Sequence, residues 1–282
     1  MKKLLVLVLI CVGFQSLSAQ RKVDAESEKS TKTAISEERK AMLKDMLESK
    51  SKQKIDPESL LSVTDVGEPD SFGRNAKFLG TATSGIVYVY YSCDPTILLA
   101  DLELTLGTDD RCLALPIPGQ SAAATFNDIG RINIPARSVD NTIYFIQNNL
   151  VNYDLSNPNA NAVFANLSYT PTYTLESDAL NDPAAINPNT GLPMNGSFTT
   201  GVSGSKFFSR TYASNASELV SERFTSSATR GFARSYFADL GLPQTVINRL
   251  YTRPMTIKLN LRVRANFLTF GQFGYSVRFL GN

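Results

Sequence analysis

Apolar and polar residues alternate with a period of two from Met255 to Phe267. Met255, Ile257, Leu259, Leu261, Val263, Ala265 and Phe267 are set against Thr256, Lys258, Asn260, Arg262, Arg264 and Asn266. Successive strand side chains point to opposite faces, so this period predicts a strand with one buried and one wet face. Phe273, Tyr275, Val277 and Phe279 alternate likewise with Gly274, Ser276 and Arg278, and Gly271 reads as a turn. The two runs are expected to pair as a C-terminal antiparallel β-hairpin.

Shorter runs rich in Val, Ile, Tyr, Phe and Thr recur upstream and favour further strands. They are 76–83, 85–92, 131–134, 142–147 and 163–175, the last with a break expected at Pro171. Ile86–Tyr91 carries no charge and suits a buried strand. Ile97–Leu106 fits strand or helix, and the alternation of Leu102, Leu104 and Leu106 tips it towards strand. Residues 176–204 crowd Asn, Asp, Pro and Gly together and predict a long surface loop. Ser214–Asp239 is expected to hold the main helix, capped at Asn215 or Ser217 and stopped by Gly241-Leu242-Pro243, with a second short helix over Gln244–Tyr251. No internal repeat of fixed period is visible.

The N-terminus follows a different pattern. Lys2-Lys3 precedes an apolar run from Leu4 to Phe14, and Ser18-Ala19 offers small residues for cleavage. This predicts a secretory signal over residues 1–19. The run is shorter than the roughly 20 residues of a membrane-spanning helix. Cys11 is no lipid-attachment site, because Ile10 precedes it and it lies inside the apolar run. Cleavage would leave Gln20 first. Residues 20–58 then hold 10 Lys or Arg and 9 Asp or Glu, far denser in charge than residues 59–282. Ile35, Met42, Leu43, Met46 and Leu47 recur there at helical spacing behind Ser36 as a cap. The segment is expected to be a charged, partly helical tail or linker ahead of one β-rich body at 59–282.

Composition removes several chemistries. The chain has no His and no Trp. Without His there is no Ser-His-Asp or Cys-His nucleophile, no His-ligated zinc and no imidazole acid–base catalysis. Cys93 and Cys112 remain after signal removal, an even pair in an oxidising compartment, and a structural disulfide is expected. Ser203–Lys206 fits Ser-x-x-Lys, but so do Ser49–Lys52 and Ser51–Lys54, and the companion motifs of penicillin-interacting enzymes are missing. Asp94, Asp101, Glu103, Asp109 and Asp110 around the disulfide loop supply oxygen ligands that calcium could use, without a regular calcium-loop spacing. Asn166, Asn195 and Asn215 head glycosylation sequons that matter only in a eukaryotic secretory route. No nucleic-acid recognition motif is present.

Charge is uneven. Residues 59–204 carry 5 basic and 14 acidic residues, whereas 205–282 carry 11 basic and 3 acidic, nine of the 11 being Arg. Separated halves would make neighbouring copies attract head to tail; interleaved halves would neutralise each other. Arg262, Arg264 and Arg278 form the candidate interaction surface. The combined expectation is a β-rich α+β chain with sandwich-like antiparallel sheets, one or two late helices and the C-terminal hairpin. In function it reads as an exported, non-catalytic structural or binding component of a bacterial envelope or secreted surface. It has no cofactor and no catalytic residue, and the metal content is unknown. It would act through a protein partner or self-assembly, or through peripheral envelope association, and without nucleic acid. The alternatives are a secreted hydrolase using paired carboxylates and an outer-membrane or pore-forming β protein, the latter suggested by the long C-terminal strand.

Overall fold

The computed structural model describes residues 76–117, 119–202 and 204–282. The export signal at 1–19, the charged tail at 20–58, Ser203 and the Ser-Lys pairs near residue 50 lie outside the described residues.

Two sheets carry the fold. Sheet A holds β1 (Lys77–Thr83), β2 (Val87–Tyr90), β3 (Arg111–Ala114), β5 (Thr142–Ser156), β9 (Ser217–Ala233) and β11 (Leu268–Gly281). Its order is β3-β2-β11-β5-β9, with β1 also on β11. Sheet B holds β4 (Ala122–Ile134), β6 (Val163–Glu176), β7 (Ser197–Gly201), β8 (Lys206–Tyr212) and β10 (Met255–Ala265). β10 lies between β4 and β6, and β7 and β8 share the other edge of β6. All pairings are antiparallel except β2 with β3.

The expected C-terminal hairpin is not formed. β10 pairs with β4 and β6, and β11 pairs with β1, β2 and β5, so the two strands belong to different sheets. The chain changes sheets between Asn266 and Phe267. Asn266 accepts from Asn166 N–H at 2.6 Å and donates to Phe164 O at 3.2 Å, which fixes it to β6. Phe267, at φ +55°, accepts through its carbonyl from Ser156 N–H at the end of β5. Gly271 lies inside β11, opposite Tyr153 and Val89, and makes no turn. The alternation itself holds: Ile257, Leu259, Leu261 and Val263 are fully buried while Arg262 and Arg264 are exposed.

Ser214–Asp239 departs further from expectation. Ser217–Ala233 is the long edge strand β9, and only Arg234–Asp239 (α2) is helical. Glu218 and Glu222, four apart, imitate a helical face, but strand alternation turns both towards β8, where they pair with Arg210 and Lys206. Ile97–Leu106 is corrected in the opposite sense. Pro95–Leu102 is helix α1, opened by Asp94, whose carboxylate accepts from Thr96 N–H at 2.7 Å. That bond, the first of several, lowers the Asp94 pKa. The short helix at Gln244–Thr252 (α3) is present, and Gly241 ends α2 at φ +82°.

Pro171 does not interrupt β6. It sits opposite Leu261 of β10, while on the other edge β8 stops at Tyr169 and β7 starts at Thr172. The residue without an N–H therefore faces the gap between two partner strands.

Residues 176–204 are more than a surface loop. They hold a 3-10 turn at Asp178–Asn181, a bridge between Ile186 and Pro193, and β7. Ala179, Leu180, Ala185, Met194 and Phe198 from this stretch are buried in the core. Asp182 fastens the segment to α3: its carboxylate accepts from Ala184 N–H at 2.8 Å and pairs with Arg249. Both contacts, the backbone bond first, hold its pKa below the usual carboxylate value. A lowered folded-state pKa stabilises above the unfolded value and loses that contribution as pH falls through the folded value. Asp182→Asn is therefore expected to lower Tm at neutral pH, with the difference from wild type closing as the pH drops below 4. Thermal melts of both proteins across pH 2–7 check this; a gap that widens in acid contradicts it.

The sheets face each other across an aromatic layer. Tyr173 of β6 meets Phe145 of β5 edge-on at 5.0 Å and lies 6.3 Å from Tyr275 and from Phe279 of β11. Three buried phenols at this layer are hydrogen-bonded. Tyr173 donates to Gln147 Oε1 at 2.6 Å, Tyr169 to Asn149 Oδ1 at 2.9 Å, and Tyr275 to Asn260 O at 2.7 Å. Burial raises the pKa of all three well above that of a free phenol, so they remain neutral donors.

Candidate functional site

The outer face of sheet B is the most distinctive exposed surface among the described strands. Side chains two apart on a strand share a face, so β10 presents Thr256, Lys258, Asn260, Arg262 and Arg264 outward. β6 sets Thr170, Thr172 and Thr174 beside them, with Thr170 opposite Arg262, Thr172 opposite Asn260 and Thr174 opposite Lys258. β4 adds Thr125 opposite Arg262 and Arg131 opposite Lys258. The result is a hydroxyl-rich face crossed by a line of cations, with the Asn260 carboxamide buried among them.

The cations are not equivalent. Lys258 reaches Glu176 at 2.8 Å and Asp128 at 3.3 Å. These carboxylates, Glu176 first, raise its pKa. Arg131 pairs with the same Asp128 at 2.6 Å, a carboxylate carried at the irregularity of β4, where Asp128 has φ +56°. Acidic β4 and β6 residues thus neutralise one end of the basic strand, so in sheet B the two charge-biased halves of the sequence interleave.

The other end keeps its charge. Arg264 donates to the Ser121 hydroxyl at 3.2 Å, and Arg262 makes no ion pair or side-chain hydrogen bond among the described residues. Their Cα atoms, two residues apart on the same face, are about 7 Å apart along the strand. Arg278 does not join them. It lies half-buried on the outer face of sheet A, opposite Ile146 and Thr81. The structure brings together two members of the expected trio and places the third on the other sheet.

The remaining candidates are accounted for by local structure. Cys93 and Cys112 are joined, with Cα atoms 5.7 Å apart, and Cys112 lies on β3 opposite Tyr88. A disulfide accords with an oxidising compartment. Asp110 accepts from Ile86 N–H at 2.7 Å and Gly107 N–H at 2.9 Å, so its carboxylate braces the loop as Asp94 caps α1. Among the described residues no group of three or more Cys, Asp or Glu is placed to hold a metal ion. Lys206 of the Ser-x-x-Lys run pairs with Glu222 and lies 5.2 Å from the Phe224 ring centroid. No described helix is long and apolar enough to cross a membrane. Comparison of the chain with protein-family models, with curated proteins and with solved structures finds no match.

Proposed function

We propose that this chain is an exported, non-catalytic binding component of the bacterial envelope or secreted surface. In this reading, residues 1–19 direct export and 20–58 are a separate charged tail. The body from 59 onward seats an acidic protein partner on the outer face of sheet B. The observation that carries the reading is the adjacent, outward-facing Arg262 and Arg264, on a central strand, without a carboxylate partner among the described residues. Arg binds carboxylates through a rigid two-pronged fork, and a flat hydroxyl-rich surround supplies further donors and acceptors. The same outward residues count against a pore. Arg or Lys facing lipid at mid-membrane costs about 2–4 kcal/mol each.

Charge reversal tests the proposal. The mature protein is expected to co-sediment with isolated envelope fractions at low salt, and Arg262→Glu/Arg264→Glu to reduce that binding about tenfold or more. Equal sedimentation of the two proteins would refute the assignment. Export itself is checked by N-terminal sequencing, where Gln20 is the expected first residue of the exported form and a retained Met1 would contradict it.

A further inference from the structure

Beyond the last rungs of sheet B the surface opens into a groove of about 580 Å³. That lies within the roughly 300–1,000 Å³ of small-ligand sites. Four separate segments line it: the end of β4 at Asn133–Pro135, the β6-to-3-10 junction at Glu176–Asn181, the turn at Asn195–Gly196 leading into Ser197, and the start of β10 at Pro254–Thr256.

The walls are fixed by backbone bonds. Ser177 N–H donates to Gly196 O at 3.0 Å, and Gly196 N–H donates to Leu180 O at 3.1 Å. Asn195 and Gly196 both take left-handed backbone, at φ +50° and +85°. For a residue other than glycine that conformation is uncommon, and Asn is one of the few that adopts it readily. A Cβ on Gly196 would stand 2.8 Å from Asn181 Oδ1, so the glycine leaves the Asn181 carboxamide its place in the groove.

The polar groups that line this groove are largely uncommitted. The carboxylate of Asp178, the carboxamides of Asn181 and Asn195 and the hydroxyl of Ser197 make no ion pair or side-chain hydrogen bond among the described residues. Glu176 spends Oε1 on Lys258, and Asn133 accepts from the Thr256 hydroxyl at 2.9 Å, which leaves its amide N–H groups free.

We infer that this groove is a subsite for a neutral saccharide. A carboxylate only accepts hydrogen bonds, whereas a carboxamide both donates and accepts. A sugar ring presents both capacities at neighbouring hydroxyls, so Asp178 and Glu176 accept hydrogen bonds from ring hydroxyls while Asn181, Asn195 and Asn133 donate to hydroxyl oxygens. The Asp178 carboxylate disfavours anionic ligands, the Glu176 charge being offset by Lys258. A polyamine would use the carboxylates and leave the amide donors unmatched. The groove is separate from the Arg262–Arg264 pair, and the inference does not rest on the partner proposed for that face.

The mature chain, labelled with nitrogen-15, is titrated with maltotetraose, mannotetraose and chitotetraose, and in parallel with spermidine and with calcium chloride. At least one oligosaccharide is expected to shift amide resonances confined to residues 176–181 and 195–197, while spermidine and calcium leave them in place. Asp178→Ala and Asn181→Ser are each expected to weaken that binding about tenfold while the rest of the spectrum stays unchanged. Shifts with spermidine or calcium alone, shifts that both variants retain, or no shift with any of the three sugars would overturn the inference.

Discussion

Replacing Tyr173 with alanine is expected to lower the free energy of unfolding by about 3–5 kcal/mol, the range for truncating a large buried aromatic. Tyr173 is fully buried, and its ring joins both sheets by packing against Phe145 of β5 and against Tyr275 and Phe279 of β11. Removing it opens a cavity in the layer where the sheets meet. Tyr173→Phe separates the ring from the hydroxyl. It keeps the packing but leaves Gln147 Oε1, buried on β5, without the phenol that donates to it. An unsatisfied buried acceptor costs about 1–3 kcal/mol. Urea unfolding of the three proteins gives both numbers, and a loss below about 1 kcal/mol for the alanine variant would mean that the sheets are held together elsewhere.

The second large effect comes from the covalent link. Cys93 and Cys112 are 19 residues apart, and a loop of that size is worth about 3 kcal/mol in the chain-entropy account. Cys93→Ser/Cys112→Ser is expected to lose about that much stability, as is the wild type after thiol reduction. The bridge ties edge strand β3 to the link between β2 and α1, so sheet A should fray at that edge first. Equal urea midpoints with and without the bond would contradict this.

The strand pattern around β10 was legible because its two faces meet different solvents: alternate residues are apolar and go inside. Its partners were not legible. Period two states that one face is buried but says nothing of which strand lies alongside, and a link of two residues suits a hairpin as well as a change of sheet. Here the choice falls to Asn266, whose side chain bonds β6, a contact a hundred residues away in sequence. β9 is hidden from its sequence for a related reason. Its inward residues include Glu218 and Glu222, which are tolerated because Arg210 and Lys206 of β8 face them, so the alternation carries no hydropathy signal. The reading of Pro171 as a break overlooked that strand partners can end on either side of one residue.

The candidate sites divide in the same way. Arg262 and Arg264 share a face by strand geometry alone, so their pairing could be read from the sequence, whereas Arg278 lies on β11 in the other sheet, which the charge count of the C-terminal segment does not reveal. The groove beyond sheet B had one local signal, the Asn195-Gly196 turn. Asn133, Glu176 and Thr256 come from separate strands, and only the register of β4, β10 and β6 assembles them.

The most direct measurement of the proposed role is a salt titration of envelope binding by the mature protein and three single variants, Arg262→Glu, Arg264→Glu and Arg278→Glu. Exposed charges are screened over about 10 Å at 0.1 M salt, so binding through the sheet B face should fall steadily as salt rises. The expected result is that Arg262→Glu and Arg264→Glu each weaken binding at low salt and flatten its salt dependence, while Arg278→Glu follows wild type. Binding that ignores salt, or that responds to Arg278→Glu as strongly as to the other two, would contradict the assignment of sheet B as the contact face.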